Sequence, residues 1–442
     1  MKKNLIKLIS LFAAFSMLSA CAGAPAQTEK ATEGTTEAPV ASVDTEDTNE
    51  AQTTAAPEET TTAETTAEID YSSLSEEEIY NLMVKRSLMT TGDMTRMANV
   101  FKRAADGEDI KAAYIGGSIT EGYSDNITLK TEEKWVDMST KWLNEQFPNS
   151  DITYVNAGLS GTPSILGNVR LQRDVLQYEP DIVFVEFAVN DGGETNYKNA
   201  YESLVRTLLT QDKDIAVVLL FTIIESGHTC QPHMSQIGNN YNLPMISLPD
   251  SVWVEMQEGR MSWSDYSADQ SHPNVEGSIM IRDFVINYFE AVMADYENHT
   301  GTVDKALPEP VFSGDYANMK FVDNTTLEVE AVGFTPSDNG HHWFKDGWQF
   351  RADTGASLKF TVNCKKLAMV IKVNNAKTFG EAEIYVDGEL SGKINSNRSD
   401  GWNNPVSEYL IDNDECAEHV VEIVIPEGQK CYFGIMGFGY CE

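Results

Sequence analysis

Four short fragments carry side chains able to do chemistry. The first is Tyr114-Ile115-Gly116-Gly117-Ser118-Ile119-Thr120. It closes a short apolar run, its two glycines allow a tight turn, and a helix is expected to follow. A hydroxyl at such a tip is placed to act as a nucleophile. The second is Asp269-Gln270-Ser271-His272-Pro273. A carboxylate three residues before a histidine can reach its Nδ1, fix the tautomer and leave Nε2 free to take a proton. The third, Phe187-Ala188-Val189-Asn190-Asp191, presents an amide just past a strand, where it can donate to a developing oxyanion. The fourth, Asn156-Ala157-Gly158-Leu159-Ser160-Gly161-Thr162, offers glycine N–H groups that a ligand can approach closely. Each fragment taken alone also fits a plain loop. The other histidines (His228, His233, His299, His341, His342 and His419) have no such setting and read as surface or core residues.

Periodicity predicts the elements that must position these groups. Ser75 and Glu78 make a capping-box pattern that opens a helix. Apolar runs at 112–115, 152–156, 182–187, 215–221 and 245–248 predict strands. Helical spacing covers 135–147, 165–178, 197–209, 231–242 and 275–293. Strands and helices that alternate through short links predict an α/β domain over 71–302. Its sheet is parallel, five-stranded and doubly wound, with ligands outside the carboxyl ends of the strands. The four fragments follow strands one, two and three or precede the last helix, so one sheet edge collects them. From about 303 the period becomes two. Runs at 357–362, 368–373, 382–386 and 420–425 predict strands, and Asp387-Gly388 is a hairpin-turn signal. An all-β sandwich over 303–442, jelly-roll-like, is expected. Trp343, Phe344, Trp348, Phe350, Trp402 and Tyr409 read mainly as its core. The segments His341-His342-Trp343 and Ser399-Asp400-Gly401-Trp402 are the better candidates for exposed loops that stack on sugar rings.

Together the four fragments resemble the SGNH hydrolase superfamily, the GDSL esterases, over roughly 111–288. The resemblance implies a flavodoxin-like SGNH fold. It implies Ser118 as nucleophile, His272 as general base and Asp269 as its orienter. The oxyanion would be held by the Ser118 N–H, the Gly161 N–H and Asn190 Nδ2. Gly161 is preferred because the family's oxyanion glycine lies five residues after the Asn closing strand two, here Asn156; Gly158 is the fallback. Two positions depart from the family pattern: Gly117 stands for its usual Asp, and Ala188 for its usual Gly. Thr120 replaces the last glycine of a G-x-S-x-G elbow. The implied activity is a serine esterase needing neither metal nor cofactor. Secreted members with an appended β domain often remove acetyl groups from polysaccharide. A lipolytic or aryl esterase, and a non-catalytic surface glycan-binding protein, are the alternatives.

The amino terminus reads as an address. Lys2, Lys3 and Lys7 precede an apolar stretch at 8–18 that is too short to span a bilayer. Leu18-Ser19-Ala20-Cys21 resembles the lipobox of bacterial lipoproteins, which implies removal of residues 1–20 and a lipid on Cys21. Residues 22–70, rich in Thr, Glu, Ala and Pro, cannot build a core and read as a self-repelling tether. The expected place is therefore outside the cytoplasm, at the cell surface, held to the membrane through Cys21. The 442 residues carry a net charge of −36, with 32 Lys and Arg against 68 Asp and Glu, which excludes nucleic acid as a partner. Cys230, Cys364, Cys416, Cys431 and Cys441 include no CxxC pair, so zinc is not expected. They leave one or two disulfides and buried free thiols equally open.

Overall fold

The computed structural model describes residues 69–442. The expected signal segment, Cys21 and nearly all of the tether lie outside the described residues. The chain enters through α1 (Glu76–Ser87), and the capping box is formed: Ser75 Oγ accepts the Glu78 N–H while the Glu78 carboxylate accepts the Ser75 N–H. A short strand β1 (Leu88–Thr90) and α2 (Thr95–Ala105) follow. The expected alternation then begins with β2 (Ile110–Gly116), a four-residue helix α3 (Ser118–Glu121) and a small hairpin, β3 (Tyr123–Ser124) with β4 (Ile127–Thr128). It continues through α4 (Trp135–Gln146), β5 (Ile152–Gly158), α5 (Ser164–Asp174), β6 (Ile182–Glu186) and α6 (Thr195–Leu209). It ends with β7 (Ala216–Phe221), α7 (Gln231–Asn240), β8 (Met245–Ser247), two single-turn helices α8 (Val254–Gln257) and α9 (Trp263–Tyr266), and α10 (Val275–Met293).

The strand order is β1-β8-β7-β6-β2-β5. Five strands are parallel, as expected, and β1 adds an antiparallel edge that the sequence pattern did not reveal. Both faces are covered, so successive residues of one strand enter opposite cores. Ala112 and Tyr114 of β2 pack in one apolar layer, Ala113 and Ile115 in the other. The order reverses at β2, which lies between β5 and β6 although it precedes both. That switch point opens a crevice beyond the strand ends.

The second domain is an antiparallel β-sandwich. Its strands are β9 (Lys320–Val322), β10 (Glu330–Val332), β11 (Thr335–Ser337), β12 (Gly347–Ala352), β13 (Ala356–Asn374), β14 (Glu381–Val386), β15 (Glu389–Asn395), β16 (Trp402–Ile425) and β17 (Cys431–Cys441). The runs at 357–362 and 368–373 are one strand, not two. The interruption at Cys364-Lys365-Lys366 is a bulge in the β13–β16 ladder, and Lys366 is buried there. Asp387-Gly388 makes the expected turn, both with positive φ, between β14 and β15. Phe344, Trp348 and Phe350 are core residues, whereas Trp402 is 55% exposed. All five described cysteines are free thiols, and only Cys416 is exposed.

The two domains share a core. Leu166 and Val169 of α5 pack with Val370 of β13 and Met436 of β17. The connector is strapped down by Glu202 of α6. Its carboxylate is fully buried and accepts the N–H groups of Val311, Phe312 and Ser313 at 2.6–3.0 Å. Residues Ile69–Glu442 accordingly make one compact unit.

Candidate active site

Ser118 is the first residue of α3, immediately past β2. As the first residue of a helix its N–H has no acceptor four residues back. Its Oγ lies 2.9 Å from His272 Nε2. His272 Nδ1 lies 2.8 Å from Asp269 Oδ2. The other Asp269 oxygen accepts the N–H groups of Ser271 and His272, each at 2.7 Å. Burial pushes the Asp269 carboxyl up, but these hydrogen bonds and the His272 ring outweigh it and hold the group below the ordinary carboxylate range. The loop is pinned from both sides. Trp263 Nε1 and Ser267 Oγ donate to the Asp269 carbonyl at 2.6 and 2.9 Å, and Asn274 caps α10 by accepting the Gly277 N–H at 2.8 Å. Tyr123 of the small hairpin sets its ring edge-on to the imidazole, with centroids 4.9 Å apart.

Asn190 stands in the turn after β6, where the N–H groups of Asn190 and Asp191 both donate to the Phe187 carbonyl at 3.0 Å. The Asn190 amide lies so close to Gly117 that a Cβ there would fall 2.0 Å from Asn190 Oδ1. In this chain a side chain at 117 would displace the amide, which accounts for the glycine. Of the two candidate glycines the geometry separates the roles. The Gly158 N–H donates to Asn156 Oδ1 at 2.9 Å and is occupied. Gly161 has φ +67 and lines the crevice, and its N–H makes no hydrogen bond among the described residues. Glycine adopts that φ at no steric cost.

The cleft around Ser118 measures about 560 Å³. Its lower wall is Ile119, Leu159, Val189 and Ile224; its upper wall is His341, His342 and Trp402 from the sandwich. Trp402 leans over Gly161, where a Cβ would lie 3.1 Å from the indole. Burial, with the charges of His342, Lys372 and Arg173 nearby, lowers His341 to about 4, so its ring is neutral at physiological pH. Among the described residues no three His, Cys, Asp or Glu side chains gather as metal ligands would.

The structure thus brings Ser118, His272, Asp269, Asn190 and Gly161 to one place, and sets Gly158 aside. Cys21 lies outside the described residues. Sequence reading missed Tyr123, which lies on a hairpin too short to show a period. It also missed Glu121, whose carboxylate accepts the Ser160 N–H at 2.8 Å and shapes the loop before Gly161. His341 and His342 were read as surface or core residues on a candidate exposed loop; only the tertiary fold carries that loop to the cleft.

A serine hydrogen-bonded to a histidine–aspartate pair at the switch point of a doubly wound sheet is the arrangement of a nucleophilic acyl hydrolase. Residues 114–278 match the model of the GDSL-like Lipase/Acylhydrolase family. No curated protein matches this chain. Among solved structures, a two-domain esterase (CEX) active on acetylated mannans is similar at 25% identity, with a TM-score of 0.74 over 81% of this chain and 99% of that one. The same esterase co-crystallised with mannopentaose is similar at 25% identity and a TM-score of 0.73, over 81% of this chain and 98% of that one. The similarity takes in the sandwich as well as the α/β domain.

Proposed function

We propose that this protein is a serine esterase that removes acetyl groups from a polysaccharide. The observation that carries this reading is the Ser118–His272–Asp269 relay opening into a cleft that the sandwich completes with Trp402. Ser118 Oγ attacks the ester carbonyl while His272 Nε2 takes its proton. Asp269 holds the ring and stabilises the imidazolium. The tetrahedral oxyanion is held by the N–H groups of Ser118 and Gly161 and by Asn190 Nδ2. His272 then gives its proton to the departing sugar oxygen, which leaves as a hydroxyl, and water, activated by the same histidine, releases acetate from Ser118. A small acyl group fits the apolar wall of Ile119, Val189 and Ile224, while the exposed Trp402 offers a face to a sugar ring. The likeness to an esterase active on acetylated mannans supports a glycan substrate.

The test compares wild type with Ser118→Ala on acetylated mannan, acetylated xylan and a medium-chain ester. Acetate released by wild type alone from a glycan supports the reading. Cleavage of the medium-chain ester alone moves the substrate to lipids. Attachment to a membrane through Cys21 belongs to the same proposal. Labelled fatty acid should enter wild type and not Cys21→Ala, and equal labelling would remove it.

A further inference from the structure

Glu186 is a buried acid that the mechanism above does not use. It is the last residue of β6 and is fully buried. Thr222 Oγ1, just past β7, donates to its Oε1 at 2.7 Å. Thr120 Oγ1, in the turn that carries Ser118, donates to its Oε2 at 2.9 Å. The backbone N–H groups of Gly117 and Thr120 face the same carboxylate. Both threonines are buried as well. The partners are thus hydroxyls and amides of two segments, the Ser118 turn and the end of β7, and none is a cation. A carboxylate is acceptor-only, so it can gather donors from both at once.

The cost of this arrangement is high. Burial without a cation raises the carboxyl and disfavours its charge. An apolar residue at the end of β6 would avoid that cost, and the neighbouring Val183, Phe184 and Val185 show that the strand is otherwise apolar. What the acid does that an apolar residue cannot is fix the turn. Ser118 lies between Gly117, whose N–H faces Glu186, and Thr120, whose hydroxyl is bonded to it. The N–H of Ser118 and its Oγ must keep register with Asn190, Gly161 and His272. These three come from other loops, so register depends on how the turn is held to β6 and β7.

We infer that Glu186 is a positioning residue for the hydrolytic reaction: its carboxylate clamps the Ser118 turn to the ends of β6 and β7, and so sets the attacking hydroxyl and the oxyanion-binding N–H. The inference rests on the esterase reading. It assigns Glu186 no contact with substrate, so the effect falls on the chemical step. Misplacing a reacting group by about 1 Å costs on the order of 10²-fold in rate.

The experiment follows phosphonylation of the full chain by a fluorophosphonate, in wild type, Glu186→Gln and Thr222→Val. Gln keeps the volume but turns an NH₂ donor toward groups that donate. Thr222→Val keeps the acid and removes one anchor. Both rate and final stoichiometry are read. The expected result is labelling of one site per chain in all three, with the rate lowered about 10–10²-fold in Glu186→Gln and less in Thr222→Val. A Glu186→Gln rate indistinguishable from wild type overturns the inference. So does a fall in stoichiometry with an unchanged rate in the labelled fraction, which marks a residue needed for folding alone. Failure of the esterase reading looks different: wild type itself takes up no label, and the inference falls with it.

Discussion

A serine hydroxyl is a weak nucleophile, and what changes that here is a 2.9 Å contact with an imidazole held by a carboxylate 2.8 Å away. Asp269 stays ionised below the ordinary carboxylate range, so the histidine keeps its orienting partner well into acid. Asn190→Ala removes one oxyanion donor. Its kcat on an acetyl ester should fall about 10²–10³-fold, while the folded fraction, followed by circular dichroism, stays that of wild type. A second residue prediction concerns Asp191, which is buried beside this asparagine. Burial raises its carboxyl to about 7, although the Ser164 N–H donates to it at 2.7 Å. The native state therefore keeps a proton that the unfolded chain loses near its ordinary value. The associated stability is complete below about pH 4 and is lost as pH rises through about 7. Asp191→Asn keeps an acceptor for Ser164 and cannot ionise. Its Tm should change less than that of wild type between pH 5 and 7.5; parallel curves would show that Asp191 does not titrate there. The placement of Ser118, Asp269, His272 and Asn190 at one sheet edge was legible in the sequence because their fragments follow successive strands or precede the last helix, although each fragment alone also fits a plain loop. Glu186 and Tyr123 were not, because what gives them meaning arrives from other elements.

At the scale of elements, the alternation of apolar runs with helical spacing placed every parallel strand. Parallel strands buried on both faces read as short apolar runs, and their shortness beside the helical stretches separates them from helices. The edge strand β1 has three residues and one neighbour, so its pattern carries too little signal. In the sandwich, β13 was split because a bulge breaks the period of two at Lys366. The connector is the element whose role needed the structure. Its three N–H groups converge on Glu202, which Tyr241 also reaches with its hydroxyl at 2.6 Å. Glu202→Gln sets an amide NH₂ against donors in a buried place. It should lower stability by about 1–3 kcal/mol, read as a lower denaturant midpoint. An unchanged midpoint would mean that the strap is held by other contacts.

At the scale of the molecule, the sandwich is a wall of the site as well as an appendage. The shared core of Leu166, Val169, Val370 and Met436 fixes it against α5, and Trp402 thereby stands over Gly161. The sequence marked the Trp402 loop as exposed, but no local pattern could say that it faces a serine nearly 300 positions earlier in the chain. Because Trp402 touches the sugar and not the ester in this account, Trp402→Ala should separate two substrates. On acetylated mannan oligosaccharide KM should rise about 3- to 10-fold. On 4-nitrophenyl acetate it should not change. Equal effects on both would make Trp402 part of the reacting site.

The central claim is that an acyl group passes through Ser118. The direct measurement is acid quenching of the protein during turnover of 4-nitrophenyl acetate, followed by mass spectrometry of the peptide that carries Ser118. The account predicts one acetyl group on that serine, absent from Ser118→Ala. Turnover with no acetyl on Ser118, or unchanged turnover by Ser118→Ala, would contradict it.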